Sequence, residues 1–226
     1  ADYSQIELRL IAEISNEEAM LDAFIKNQDI NRATAAKVYG VPYDEVNSDQ
    51  RRNAKTVNFS ILYGAGATNI SRQLGIKQSE AKELIENYFN QYKGLRKYMN
   101  ETVESARSKG YVMTYMGRKR VLRDIDSKNS LIRSNAERIA INTPIQGTAA
   151  DLIKMAMIKI HSRLFNEGLQ SKMILQVHDE LVFDVLKSEK AKVEELVLYE
   201  MKHAIPNLKV PIDVGIGHGE NWLEAH

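Results

Sequence analysis

The chain has 226 residues, 43% of them hydrophobic, so it can bury a core large enough for one domain with a subdomain. Its 31 basic and 30 acidic residues give a net charge of +1, which excludes binding to nucleic acid through overall positive charge and requires any basic surface to be local. The lack of cysteine and the scatter of the five histidines argue against a zinc site, and the lack of a signal peptide or membrane-length apolar run predicts a cytoplasmic protein.

The sequence of the first half of the chain predicts the end of a short strand followed by helices. Apolar periodicity defines these helices, and breakers such as Gly40-Val41-Pro42 and Gly64-Ala65-Gly66 end them. In chain order the predicted helices cover residues 5–15, 17–26, 29–39, a basic segment that ends at 63, and 79–108 with an interruption near 94.

The second half mixes strands and helices. A short strand at 111–115 precedes a long helix at 130–165, which contains Pro144 and should be kinked or loosened there. A hairpin at 173–185, a helix at 189–203 and a final strand at 210–216 follow. Because strands stand at both ends with helices between them, we expect an α+β fold in which one antiparallel sheet carries an inserted helical subdomain.

The basic helix sets two cations and two aromatic rings at four-residue steps: Arg51, Lys55, Phe59 and Tyr63. Residues four apart lie nearly above one another on an α-helix, so these side chains form one stripe. Arg and Lys bind phosphate oxygens and aromatic rings offer flat faces to a base or sugar, so the order predicts a nucleoside triphosphate site. On periodicity alone, the spacing also fits a surface helix with its basic residues outside and its rings in the core.

Two carboxylate motifs frame the chain. Asp2 stands near its start, and His178-Asp179-Glu180 falls at or near the turn of the predicted hairpin. Taken alone, the second motif also fits an ordinary polar hairpin tip, and Asp2 also fits a frayed terminus.

Three segments together resemble a known family. DYSQIELR at 2–9, RRNAKTVNFSILYG at 51–64 and QVHDELVF at 176–183 are similar, in the same order, to the three polymerase motifs of the family A DNA polymerases. The connecting segments at 117–120, 136–142 and 146–151 also resemble that family, so the similarity covers essentially the whole chain.

The resemblance implies a template-directed DNA polymerase core that transfers deoxynucleotides from dNTPs to a primer 3′ hydroxyl and releases pyrophosphate. It implies a partial right-hand fold, with the palm at residues 1–26 and 109–226, the helical fingers at 27–108 and the thumb absent. It also implies a DNA primer-template and dNTPs as partners, a monomeric parent enzyme and association with the nucleoid.

The start of the chain is unusual for such an enzyme. No residues precede Ala1 to form the strand that should deliver Asp2 to the sheet. We therefore expect a C-terminal fragment, which binds nucleotide weakly and extends primers poorly or not at all because it lacks many phosphate contacts.

The expected metal site holds two Mg²⁺ ions. Nucleotidyl transfer needs divalent cations to balance charge on the attacking and leaving oxygens, and Mg²⁺ requires hard oxygen ligands. By resemblance, Asp2 and Asp179 share these ions, the Tyr3 carbonyl is a further ligand and Glu180 is an auxiliary carboxylate.

By resemblance, the incoming nucleotide contacts residues from several segments. Lys55 is expected to be catalytic, offsetting phosphate charge and protonating the leaving pyrophosphate, while Arg51 holds the γ-phosphate. Glu7 is expected to exclude a ribose 2′ hydroxyl by occupying its space. The expected nucleotide-binding residues are Gln5, Glu7, Asn31, Arg51, Lys55, Phe59 and Tyr63.

The expected DNA contacts lie mainly on the long helix and the basic segment before it. Arg138, Asn142 and Gln146 recur every four residues, and amide side chains can bond to minor-groove base edges in either type of base pair. The spacing also fits a polar helix face. The expected DNA-binding residues are Arg118, Arg138, Asn142, Gln146 and His178.

Two residues depart from the family pattern. Asn31 stands where the relatives usually have a His that contacts the triphosphate, and Asn can keep a hydrogen bond but supplies no positive charge. Ser60 replaces a usual Gly, a change of little consequence inside a helix.

Three other functions fit parts of the pattern. A single-subunit RNA polymerase shares a related palm, but Glu7 favours the DNA enzyme. A non-catalytic nucleic-acid-binding module would not need Asp2, Asp179 and Lys55. A two-metal phosphatase or nuclease would not need the stripe on the basic helix.

Overall fold

The computed structural model describes residues 1–225, and the chain divides into two compact units. Unit 1 comprises Ala1–Ile6 and the chain from Ala149 onwards, and unit 2 comprises Glu7–Thr148. The mixture of helices with antiparallel sheets confirms the α+β class, although residues 1–225 form two such sheets where one was predicted. No helix within residues 1–225 combines the length and apolarity needed to cross a membrane.

Unit 2 is mostly helical. Its helices, which begin one residue before the unit, are α1 (Ile6–Ser15), α2 (Glu18–Ile25), α3 (Ile30–Tyr39), α4 (Ser48–Leu62), α5 (Ala67–Leu74), α6 (Gln78–Gln91) and α7 (Lys93–Lys109). The hairpin strands β2 (Tyr111–Met113) and β3 (Lys119–Val121) follow, and then α8 (Ser130–Asn166) begins. The predicted helices are confirmed within a few residues, whereas α5 and β3 were not predicted.

Capping side chains set the ends of the helices that carry the site. Asn47 and Gln50 form a reciprocal capping box at the start of α4. Asp29 caps α3 through its side chain, and Gly40 ends that helix in the left-handed conformation with φ of 66°. These caps fix where α3 and α4 begin and therefore which faces they present.

Glu17 ties the start of α2 to the start of α7. Its side chain is 7% exposed, and its carboxylate accepts hydrogen bonds from the backbone N–H groups of Ala19, Gly94 and Leu95, the contact with Gly94 being 2.7 Å. A Cβ atom at Gly94 would lie 2.8 Å from this carboxylate, so the close approach requires glycine. The interruption predicted near residue 94 is therefore the junction at which a distant carboxylate caps a new helix.

Glu17→Ala is expected to lower the free energy of unfolding by about 2 kcal/mol, or roughly 5 °C in Tm, because it leaves buried N–H groups without an acceptor. Thermal unfolding measures this. Glu18→Ala is the matched control, because Glu18 is the next residue in the chain and its side chain is exposed. It should change the free energy of unfolding by less than about 0.5 kcal/mol. Equal losses in the two variants would contradict the role given to Glu17.

The β2–β3 hairpin packs onto the first part of α8. Val112 and Leu122 join Ala136 and Ala140 in one buried cluster. The Tyr115 N–H donates to Thr148 Oγ1 over 2.9 Å. This packing holds the basic segment of the hairpin beside the α8 residues predicted to contact DNA.

Unit 1 is built on a four-stranded antiparallel sheet in the order β4-β5-β1-β6. The strands are β1 (Asp2–Tyr3), β4 (Lys172–Val177), β5 (Glu180–Asp184) and β6 (Val214–Gly215), and the helices are the second part of α8, α9 (Lys190–Lys202) and α10 (Trp222–Ala225). The final strand is shorter than the predicted 210–216.

The helices of unit 1 supply its apolar core. In α8, residues at four-residue steps are buried, namely Leu152, Ala156, Ile160 and Leu164. In β1, the buried Tyr3 hydroxyl donates to the Met201 carbonyl over 3.0 Å. Burial raises the pKa of Tyr3 well above its usual range, so this hydroxyl stays protonated and anchors the strand that carries Asp2.

Candidate active site

In unit 1, the predicted metal ligands lie where β1 runs beside β5. Asp2 is directly opposite Glu180 in the antiparallel register, and the Tyr3 N–H donates to the Asp179 carbonyl over 3.3 Å. Residues opposed in this way have side chains on the same face of the sheet. The fold therefore brings together carboxylate residues from opposite ends of the chain.

The Glu180 carboxylate has a partner that the sequence did not indicate. Trp222 Nε1 donates to Glu180 Oε1 over 2.9 Å. Trp222 lies far from Glu180 in sequence, so only the folded structure could identify this contact.

Two predicted site residues have left-handed backbones. Gln5 has a φ of 57° and His178 a φ of 52°, while the other non-glycine residues with positive φ in the described part of the chain are asparagines, which tolerate this region. His178 and Asp179 form the two-residue turn of the β4–β5 hairpin, because Val177 pairs with Glu180. Such backbone strain is common at functional sites, which favours the inclusion of both residues.

In unit 2, the predicted stripe lies on the outer face of α4 and continues onto its C-terminal cap. Arg51, Lys55 and Tyr63 are exposed and Phe59 is half-buried. The opposite face is buried at Ala54, Val57, Asn58 and Ile61. The alternative in which both rings enter the core is therefore wrong for Tyr63, which is 41% exposed.

The two cations of the stripe differ in their surroundings. Arg51 pairs with Asp29, with its Nε 2.8 Å and its Nη2 2.6 Å from Asp29 Oδ2. Lys55 forms no ion pair within residues 1–225, so its ammonium group is available to a ligand. Sequence reasoning gave no role to Asp29, although its position before a helix is typical of an N-cap.

Asp29 is ionised at neutral pH. Partial burial would raise the pKa of its carboxyl group, but the backbone N–H of Arg32, the guanidinium group of Arg51 and the backbone N–H of Asn31 together lower the pKa below its usual range. The Asp29–Arg51 contact is therefore a charge-assisted pair.

Asn31 lies in a buried polar network. Asn58 Nδ2 donates to Asn31 Oδ1 over 3.0 Å and to Thr34 Oγ1 over 3.2 Å, and the Thr34 and Tyr92 hydroxyls lie 3.0 Å apart. All four residues are at most 2% exposed. Asn31 thus joins α3 to α4, and its expected contact with the triphosphate stays a prediction.

Glu7 and Tyr63 are joined directly. The Tyr63 hydroxyl donates to Glu7 Oε2 over 2.5 Å, so a residue of α1 contacts the end of the α4 stripe. This bond fixes the half-buried Glu7 carboxylate beside the aromatic end of the predicted nucleotide site.

The predicted DNA-contacting residues of α8 form one row, along which Arg138 and Gln146 are exposed and Asn142 is half-buried. Among the described residues, Asn142 Oδ1 is buried without a hydrogen-bond partner. Gly64, with φ of 67°, packs so closely on Arg138 that a Cβ atom there would lie 2.6 Å from Arg138 Cγ. The end of the stripe and the start of the α8 row are therefore in contact.

Arg118 also lies beside this row. Its Nη2 donates to the Gly147 carbonyl over 3.0 Å, and the side chain remains exposed. A Cβ atom at Gly147 would lie 2.4 Å from Thr114 Cγ2, so glycine is required for the hairpin to approach α8. The predicted contact of Arg118 with DNA is compatible with this position.

The carboxylates of unit 1 fit a divalent cation. No group of three or more His, Cys, Asp or Glu side chains in residues 1–225 could hold a metal ion. Mg²⁺ usually takes only one or two carboxylates and completes its shell with water and substrate phosphates. One or two of the carboxylates of Asp2, Asp179 and Glu180 would be hard oxygen donors of this kind, whereas the three do not together form a cluster that could hold an ion without further ligands.

This chain is similar to known proteins that are named as DNA polymerases. The family model for DNA polymerase family A matches residues 1–224. DNA polymerase I of Caldicellulosiruptor bescii is 47% identical over 225 residues, and DNA polymerase I of Streptococcus pneumoniae is 48% identical over 226 residues. Each comparison covers 100% of this chain and 26% of the relative, so the chain spans about a quarter of the length of these relatives.

A solved structure has the same fold. The POL domain of Pol1 from M. smegmatis, in complex with DNA primer-template and dNTP, superimposes with a TM-score of 0.95 and 42% sequence identity, over 99% of this chain and 39% of that one. Since the family model matches nearly every residue, this chain belongs to DNA polymerase family A.

Proposed function

We propose that this chain forms the core of a template-directed DNA polymerase, which transfers a deoxynucleotide from a dNTP to a primer 3′ hydroxyl and releases pyrophosphate. In this proposal residues 1–26 and 109–226 form the palm and residues 27–108 the fingers. The partners are a DNA primer-template and dNTPs, as in the complex of the M. smegmatis protein, and the parent enzyme acts as a monomer.

The observation that carries the proposal is the amphipathic arrangement of α4. Its outer face presents Arg51 and Lys55, followed by Tyr63 at the C-terminal cap, and its inner face is buried. Cations followed by an aromatic ring match a triphosphate followed by a nucleoside. Neither a nuclease nor a passive DNA-binding module needs that order.

Membership of the family implies use of divalent metal ions, and the carboxylates of unit 1 fit that use. Asp2 and Asp179 would hold two Mg²⁺ ions, with the Tyr3 carbonyl as a further ligand and Glu180 as an auxiliary carboxylate. When bound, the ions supply positive charge where the attacking and leaving oxygens carry negative charge.

The side chains of unit 2 bind and orient the nucleotide. Arg51 donates to the γ-phosphate, and Lys55 offsets phosphate charge and holds a proton for the leaving pyrophosphate. Phe59 packs on the sugar and Tyr63 lies near the templating base. Asn31 of unit 2 and Gln5, which lies in unit 1, are the remaining residues proposed to contact the nucleotide.

The α8 row and its neighbours bind the primer-template duplex. Arg118 and Arg138 contact phosphates, while Asn142 and Gln146 bond to base edges in the minor groove. His178 approaches the DNA from the hairpin turn.

Single-nucleotide primer extension tests the proposal. Four primer-templates are used, which differ only in the first unpaired template base, and each is supplied with each dNTP in turn. The protein assayed contains this chain within a polypeptide as long as its relatives. Incorporation of only the complementary nucleotide, with pyrophosphate released, is expected. Incorporation independent of the template, or hydrolysis of DNA without dNTP, would overturn the proposal.

Glu7→Ala is expected to raise ribonucleotide incorporation relative to deoxynucleotide incorporation by at least about tenfold, because it removes the side chain that occupies the 2′ hydroxyl position. The ratio of kcat/KM for rATP and dATP measures the change. Glu13→Ala, on the same helix, is the matched control and should leave the ratio unchanged. An unchanged ratio in Glu7→Ala would remove Glu7 from the sugar site.

A further inference from the structure

The two oxygens of the Asp29 carboxylate have separate partners. Oδ1 accepts the backbone N–H groups of Asn31 and Arg32 over 2.9 and 3.0 Å, which caps α3. Oδ2 accepts from Nε and Nη2 of Arg51 over 2.8 and 2.6 Å. Because the cap fixes the carboxylate to a helix, the guanidinium group is held against a rigid support.

This contact leaves part of Arg51 available. A guanidinium group has five N–H donors in one plane, and Asp29 engages only the edge formed by Nε and Nη2. Both side chains are partly exposed, at 44% for Arg51 and 31% for Asp29. The remaining donors, chiefly those of Nη1, can therefore reach an anion without breaking the pair.

We propose that Asp29 is a positioning residue that orients Arg51 toward the terminal phosphate of the incoming nucleoside triphosphate. The inference rests on the proposed function, in which Arg51 binds the γ-phosphate. In this inference, the Asp29–Arg51 pair makes the protein bind nucleoside triphosphates more tightly than nucleoside diphosphates. A free arginine loses side-chain entropy when it binds phosphate, whereas Asp29 removes much of that cost before the nucleotide arrives.

When Asp29 is neutralised, charge repulsion and side-chain orientation predict opposite changes in nucleotide affinity. Asp29 is a negative charge close to a proposed triphosphate site, so its neutralisation alone would strengthen nucleotide binding. Loss of orientation would weaken binding instead. A loss of affinity on neutralising Asp29 therefore cannot come from simple charge repulsion.

The experiment measures equilibrium binding of dATP and dADP by titration calorimetry in Mg²⁺-containing buffer. Asp29→Asn keeps a good N-cap residue and removes the charge on the Arg51 partner. Its affinity for dATP is expected to fall about fivefold to tenfold, the scale of one ordinary net hydrogen bond, while its affinity for dADP stays the same or rises.

Asp49→Asn is the matched control. Asp49 pairs with Arg52 over 2.9 Å on the same helix, so this variant removes the same charge from an ion pair outside the stripe. It should not weaken dATP binding. Equal thermal unfolding temperatures for the two variants would exclude loss of the α3 cap as the cause.

Arg51→Gln separates failure of this inference from failure of the proposed function. If Arg51→Gln weakens dATP binding and Asp29→Asn does not, or strengthens it, the positioning role is overturned and the γ-phosphate role of Arg51 stands. If Arg51→Gln leaves dATP binding unchanged, the proposed role of Arg51 fails, and the inference fails with it.

Discussion

Asp179→Ala is expected to lower the rate of primer extension by about 1000-fold or more, the largest effect of any single substitution considered. The change removes a carboxylate proposed to hold the ions that stabilise charge in the transition state. Single-turnover primer extension in Mg²⁺ measures the loss. Thermal stability should be nearly unchanged, because Asp179 lies half-buried in a hairpin turn and pairs through its backbone carbonyl.

The matched control is Asp184→Ala, which removes an exposed carboxylate from the other end of β5. This variant should retain extension within about twofold of the parent rate. If Asp179→Ala retained full activity, or if both variants lost it equally, the metal-binding role of the hairpin carboxylates would be wrong.

Lys55→Ala is expected to reduce kcat for nucleotide incorporation by about 100-fold, because it removes the proposed cation at the phosphates and the proposed proton donor to pyrophosphate. Pre-steady-state incorporation over a range of dNTP concentrations separates kcat from nucleotide affinity. Arg52→Ala, an exposed cation next to the stripe, is the control and should have little effect.

Lys55→Arg separates the two contributions proposed for Lys55, positive charge and proton donation. Arginine keeps the positive charge but does not release a proton at neutral pH. Affinity for dNTP should therefore recover in this variant, while kcat stays low. Full recovery of kcat would show that Lys55 contributes charge alone.

The motifs and the helices were largely predictable from sequence because they depend on local patterns. The stripe at Arg51, Lys55 and Tyr63 follows from four-residue spacing, and the structure confirms that these side chains share the exposed face of α4 and its C-terminal cap. The hairpin turn at His178 follows from the flanking apolar residues, and pairing of Val177 with Glu180 confirms it. The family assignment was correct for the same reason, since its motifs are contiguous segments.

Features that depend on tertiary contacts were not predictable. Asp29 contacts Arg51, and Trp222 contacts Glu180, across sequence separations that carry no periodic signal. Helix α5 was missed because it is short and follows the glycine-rich end of α4. Asn31 could be recognised as a departure from the family, but its burial beside Asn58 required the packing of α3 against α4.

The buried bonds among Asn31, Thr34, Asn58 and Tyr92 have a consequence for motion within unit 2. Buried amides and hydroxyls that lose their partners are costly to leave unpaired, so α3 and α4 separate only at a high free-energy cost. We therefore expect the two helices to move together. Any displacement of α4 is therefore expected to carry α3 with it.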